Sequence, residues 1–107
     1  MDARARRAAQ NENLFRRINE RVEALSRDLD TLTLVCECAD PACVERLPGV
    51  PRADYEAVRG HPERFFVARG HERREFELVV QERPAYVVVE KIGDAGAVAA
   101  DEDPRSD

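Results

Sequence analysis

The chain has 107 residues, three cysteines, two histidines and a formal net charge of -5 at pH 7. This length allows one small domain, and an acidic chain is repelled by phosphate backbones, which disfavours nonspecific binding to nucleic acid. The sequence has no apolar stretch of the roughly 18 residues that a membrane-spanning helix needs, and its arginine-rich start leads into no apolar signal segment, so we expect a cytoplasmic protein without a membrane partner.

Composition divides the chain into three predicted segments. Residues 1–10 form a flexible basic N-terminus, residues 11–93 form a single zinc-binding α+β domain, and residues 94–107 form a disordered acidic tail. Within the domain, a helix spans 11–30 and a Cys/His zinc module spans 31–93. The predicted fold is therefore an N-terminal amphipathic helix followed by a small zinc-stapled antiparallel sheet with one short helix.

An apolar stripe indicates the N-terminal helix. Its members recur at intervals of three and four residues and are Phe15, Ile18, Val22, Leu25 and Leu29. In the favoured interpretation this stripe packs on the sheet of the same domain. In the alternative, the stripe over 15–29 forms a short coiled coil that makes a homodimer.

Short strands and turns follow the helix. The alternating, β-branched segment over 31–37 predicts a strand, and Pro41 lies in the turn after it. The remaining predicted elements are strands over 44–47, 64–68, 73–82 and 86–90 and one short helix over 52–59. Val79 interrupts the alternation within 73–82, so a helix stays possible there.

Three cysteines, Cys36, Cys38 and Cys43, lie close together in the sequence. Three thiols cannot all pair within one chain, and a bridge between Cys36 and Cys38 would be strained, so a reduced metal-binding cluster is the better interpretation. On a strand, Cys36 and Cys38 project to one face, and the turn at Pro41 returns Cys43 toward them. The predicted cofactor is one structural Zn²⁺ per chain, with buried apolar thiols or a reactive cysteine as alternatives.

Only two histidines are present to complete a tetrahedral zinc site. His71 is the favoured fourth ligand, because Gly70 lets the backbone bend close to the metal. His61, which precedes a proline at a predicted helix end, is the alternative. A carboxylate such as Asp40 or Glu72, or a water molecule, is the remaining possibility.

Several segments together form a recurring pattern. They are NLFR (13–16) and NER (19–21) in the helix, CECADPAC (36–43), ADYEAVRGHPERFFVARGHE (53–72) and YVVVEK (86–91). Over about residues 11–93 the chain thereby resembles a family of short, uncharacterised, mainly actinobacterial proteins with the pattern CxCxDxxC, EYExVR, RFxVxPGHE and YxVVEK. The resemblance implies no activity, and Arg69 stands where the family usually has proline. The ligands that it implies are Cys36, Cys38, Cys43 and His71.

These features predict a small cytoplasmic structural-zinc protein that acts as a protein-interaction or regulatory module with a protein partner. We predict no enzyme activity, because the sequence contains no Gly-rich phosphate loop, no H-E-x-x-H segment and no nucleophile elbow.

Two alternative functions stay open. The first is a nucleic-acid-associated, transcription-linked zinc protein, whose basic patch would consist of Arg16, Arg17, Arg21 and Arg27 together with Arg73 and Arg74. The second is a redox-responsive zinc switch, in which oxidation of the thiols ejects the metal and unfolds the domain.

Overall fold

Helices and antiparallel strands combine into an α+β fold over residues 3–105, which a computed structural model describes. In chain order the elements are α1 (Ala3–Leu25), β1 (Thr31–Val35), β2 (Arg46–Pro51), α2 (Arg52–Arg59), β3 (Arg64–Ala68), β4 (Glu77–Glu82), β5 (Tyr86–Lys91) and α3 (Gly93–Asp101). The predicted class, a helix followed by antiparallel strands, is confirmed.

The strands form two separate antiparallel sheets. Strands β1 and β2 pair with each other, and the second sheet has the order β3-β5-β4. Strand β5 is central because its run of valines is buried on both faces. In β4 the register shifts between Val79 and Gln81, and this β-bulge explains the interrupted alternation, so the segment is a strand and not a helix.

Aromatic packing on α2 marks the centre of the core. The rings of Tyr55 and Phe66 stack with centroids 5.5 Å apart, and Tyr86 meets Phe66 edge-on at 5.6 Å. Helix α2 has the predicted bounds and buries Tyr55 and Val58 on one face. One core therefore joins α2 to the larger sheet.

Helix α1 lies closer to the N-terminus than predicted. It begins at Ala3 and ends at Leu25, so residues 3–10 of the predicted flexible N-terminus are helical and the helix ends before the predicted residue 30. The alanine-rich start favours the helix, and a turn in which the Leu29 N–H donates to the Ser26 carbonyl replaces its predicted last turn. Met1 and Asp2, also part of the predicted flexible segment, lie outside the described residues.

The buried face of α1 is largely polar, and the predicted apolar stripe packs on the rest of the domain only in part, since Phe15 and Val22 are half-buried. In the stripe, Ile18 is 38 % exposed and Leu25 76 % exposed. The polar face is stable because its groups have specific partners; for example, the Asn19 side chain exchanges two 2.8 Å hydrogen bonds with the backbone of Val35. The buried residues of α1 are Ala9, Glu12, Asn13, Arg16 and Asn19.

The predicted disordered tail contains a helix. Helix α3 buries Ala99, whose carbonyl accepts a 2.7 Å hydrogen bond from the Arg16 guanidinium. Two short helices, α2 and α3, therefore replace the single one predicted. Ser106 and Asp107 lie outside the described residues.

Over residues 3–105, no helix is both as long and as apolar as a crossing of the bilayer demands.

Candidate metal centre

Two loops bring the four predicted ligands together: the ligand loop over 36–45, between β1 and β2, carries the three cysteines, and His71 lies in the loop after β3. The ligand atoms of Cys36, Cys38, Cys43 and His71 all lie within 4.8 Å of one another. The His71 Nδ1 atom is 3.5 Å from the Cys43 sulfur and 3.7 Å from the Cys36 sulfur. Tetrahedral zinc, with Zn–S near 2.3 Å and Zn–N near 2.05 Å, separates sulfur and nitrogen by about 3.6 Å. These two distances match a tetrahedral site, and the group could hold a metal ion.

Cys36 and Cys38 were predicted to lie on a strand. They lie instead in the loop that follows β1. Strand β1 ends at Val35, and the loop then runs beside β3, where the Glu37 N–H donates to the Phe66 carbonyl at 2.8 Å. Both cysteines are buried. Their convergence comes from this attachment to β3 and not from the alternation of a strand.

Cys43 returns to the cluster through a tight turn. The Asp40 carbonyl accepts a 3.1 Å hydrogen bond from the Cys43 N–H, and the Asp40 carboxylate accepts one of 2.9 Å from the Ala42 N–H. This is the Asx-turn expected of aspartate before proline, in which the side chain accepts a hydrogen bond from the backbone two residues further on. The Asp40 carboxylate is engaged in the turn and is not part of the cluster.

His71 is placed by a turn that requires glycine. The Ala68 carbonyl accepts a 2.9 Å hydrogen bond from the His71 N–H, and Gly70 between them has φ +91°. A side chain at Gly70 would be strained in this left-handed conformation. The Glu72 carboxylate accepts a 2.8 Å hydrogen bond from the Gly70 N–H, which further fixes the turn.

The alternative fourth ligand, His61, is exposed at the end of α2 and does not belong to the ligand cluster found among residues 3–105. Its backbone N–H donates to the Val58 carbonyl at 2.9 Å. Of the two histidines, the structure brings only His71 to the cysteines.

The sulfur atoms influence one another's protonation. A hydrogen bond from the Cys36 thiol lowers the pKa of Cys38, which favours the thiolate form of Cys38. The same hydrogen bond, together with burial, raises the pKa of Cys36, and burial raises that of Cys43. The Ala68 N–H donates to the Cys36 sulfur at 3.1 Å, as protein N–H groups do around sulfur ligands of metals.

Glu37, between two of the cysteines, has a structural role that the ligand pattern does not reveal. Its side chain is fully buried, and Arg59 pairs with both of its oxygens at 2.8 and 2.9 Å. The same carboxylate accepts hydrogen bonds from the Asn19 side chain at 2.7 Å and the Phe66 N–H at 2.9 Å. With both oxygens engaged, Glu37 anchors the ligand loop and is not available as a general base.

Comparisons of the chain with protein-family models, with curated proteins and with solved structures give no match. The resemblance to the short actinobacterial proteins therefore stays a prediction, and the site stands on its own geometry.

Proposed function

We propose that the protein binds one structural Zn²⁺ and that the domain so stabilised is a cytoplasmic protein-interaction module. The observation that carries the zinc assignment is the convergence of four ligand atoms from two loops. One of these loops joins β1 to β2 and the other follows β3, so one ion would link the two sheets. The proposed ligands are Cys36, Cys38, Cys43 and His71.

The donor set favours zinc in a structural role. Thiolates and imidazole suit zinc, whereas magnesium and calcium prefer oxygen ligands. Four protein ligands fill a tetrahedral shell and leave no position for a reactive water. A domain of this size buries a limited core, so a metal that joins its parts contributes directly to folding.

Exposed apolar side chains support a role in binding another protein. Leu14, Ile18 and Leu25 recur along α1 on the side opposite its packed face, with exposures of 54 %, 38 % and 76 %. A row of this kind on a charged helix suits contact with a protein surface, including a second copy of this chain. Sedimentation of the parent at twice 12.1 kDa, reduced to one chain mass by Ile18→Asp, would identify the partner as a second copy.

The nucleic-acid alternative has less support. Arg16, the first member of its basic patch, is 1 % exposed and donates to the backbone carbonyls of Pro62 and Ala99. Arg17 pairs with Glu102. The arginines of α1 therefore do not form one continuous basic surface.

Native mass spectrometry with elemental analysis tests the zinc assignment. We expect one zinc per 12.1 kDa chain in the parent and none in Cys38→Ser. Ala42→Ser, an exposed change in the same loop, is the matched control and should retain the ion. A parent without metal, or a Cys38→Ser variant with a full complement of zinc, would refute the assignment.

A further inference from the structure

The guanidinium of Arg105 is held between two helices. Glu20 of α1 accepts hydrogen bonds from its Nε and, at 3.0 Å, from its Nη2. Glu56 of α2 accepts hydrogen bonds from Nη1 at 2.7 Å and from Nη2 at 3.3 Å. Both carboxylates therefore meet the guanidinium in the two-point geometry that arginine favours.

An aromatic ring completes this arrangement. The Arg105 Cζ atom lies 5.9 Å from the centroid of the Tyr55 ring, within range of a cation–π interaction. Tyr55 is fully buried, stacks on Phe66, and donates its hydroxyl to Glu20 at 3.1 Å. The ring and the Glu20 carboxylate are thus fixed by the core, independently of Arg105.

The chemistry of this arrangement selects a guanidinium. Two carboxylates that each accept two N–H groups match the planar fork of arginine, and the ring lies close enough to interact with its flat face. A lysine ammonium is a compact point charge that cannot satisfy both carboxylates in this geometry. An uncharged side chain of similar shape would leave the Glu20 carboxylate, which is only 17 % exposed, without a counter-charge.

The segment that delivers Arg105 is weakly held elsewhere. It follows the end of α3 at Asp101, and its other ion pair, between Arg17 and Glu102, is exposed and 3.5 Å long. Exposed pairs of this kind contribute little stability. The Arg105 N–H bonds only to neighbouring Asp103. The segment can therefore leave the two helices at the cost mainly of the Arg105 contacts.

We propose that Glu20, Tyr55 and Glu56 form a binding site for an arginine side chain presented by a partner protein, and that Arg105 occupies this site as an intramolecular competitor. The site deepens the proposed interaction role, on which it rests, by naming the chemical group that the partner presents. A tethered competitor acts at an effective concentration on the order of millimolar, so a partner must add contacts of its own to displace it.

The test uses the full-length zinc-loaded protein and N-acetyl-arginine amide as the probe. Nuclear magnetic resonance titration of Arg105→Ala should show saturable shifts of signals from Glu20, Tyr55 and Glu56. In the parent, Arg105 fills the site, so the probe should bind at least about tenfold more weakly than it binds Arg105→Ala. Arg27→Ala removes an exposed arginine outside the site and should behave as the parent does.

Matched probes and variants determine what the site recognises. The lysine and citrulline analogues should not bind Arg105→Ala, and the added change Glu56→Gln should abolish binding of the arginine probe. Equal binding of the three probes, or none by Arg105→Ala, would overturn the proposal. If Arg105→Ala does not fold, Arg105→Gln, which keeps most of the side chain without the charge, takes its place.

Zinc content, measured on the same samples, separates this proposal from the zinc assignment. One zinc per chain without arginine binding refutes the arginine site alone. Arginine binding by a folded chain without metal refutes the zinc assignment alone.

Discussion

The carboxylate of Glu37 and the guanidinium of Arg59 form a two-point ion pair, with side chains 0 % and 2 % exposed, that joins the metal-ligand loop to the end of α2. Because Glu37 lies between Cys36 and Cys38, the position of both sulfurs depends on this pair. The candidate metal site and the core are thereby one structural unit.

Replacement of Glu37 by leucine should lower the free energy of unfolding by about 3–5 kcal/mol, because it leaves the Arg59 charge buried without a partner. Urea denaturation at a fixed free zinc concentration measures the change. The double variant Glu37→Leu/Arg59→Met removes both charges and should be more stable than Glu37→Leu alone. If the loss of unfolding free energy in the double variant equals the sum of the losses in the two single variants, Glu37 and Arg59 are not coupled.

The two histidines should differ in their effect on zinc affinity. His71→Ala removes a proposed ligand and should weaken zinc binding by at least about a hundredfold, since even residues that only orient ligands contribute 10–100-fold. His61→Ala changes an exposed side chain outside the cluster and should leave the affinity unchanged. Competition with a chromophoric chelator measures both. Equal weakening by the two variants would contradict the assignment of His71.

Alanine substitutions at two glycines with positive φ distinguish an effect of backbone strain on stability from an effect on metal release. Gly70 and Gly49 have φ +91° and +69°, and a Cβ at either position would meet no atom within 4 Å. Alanine at either should therefore cost about 1–2 kcal/mol of stability through strain alone. Only Gly70→Ala also disturbs the turn that holds His71, so it alone should speed the release of zinc to a chelator. Equal release rates for both variants would refute this role of the turn.

The stability of the fold should depend on the protonation of Glu12. Burial raises its pKa from 4.5 to about 6, although Lys91 hydrogen-bonds to it and lowers the pKa in part. The folded state therefore binds this proton more tightly than the unfolded state. The resulting stabilisation is complete below the unfolded value and is lost as the pH rises through 6.

Glu12→Gln removes this titration. The stability of the variant relative to the parent should therefore rise by about 2 kcal/mol between about pH 4 and about pH 7. Denaturation curves of both proteins across this range give the difference directly. A difference that does not change with pH would contradict the role of Glu12.

The features that the sequence predicted well have local causes. The apolar run in 64–68, the valine run of β5 and the proline before α2 each specify their element within a few residues. The cluster of three cysteines was also predictable, because thiols that are close in sequence and kept reduced suit a metal. The conformation of the ligand loop was not predictable, since the loop bonds to β3, which lies about 30 residues further along the chain.

The features that the sequence did not predict depend on partners far along the chain. Arg16 faces inward because carbonyls of Pro62 and Ala99 accept its N–H groups, and no periodicity reports such partners. Helix α3 has no apolar stripe, yet it packs closely because Gly96 lies against the Lys91 carbonyl, which a Cβ would approach to 2.9 Å. Small residues of this kind also occur in disordered tails, so composition alone suggested disorder.

The loop that carries Cys36 and Cys38 also covers the outer edge of β3, where it bonds to the backbone of Phe66 and Ala68. Within residues 3–105, β3 pairs with no strand other than β5, which lies on its other side, and most residues of β3 are apolar. Release of the loop on loss of the proposed zinc ion would uncover the edge of β3 as a template for intermolecular strand addition. The supply of zinc would then decide whether newly made chains stay dispersed or aggregate through β3.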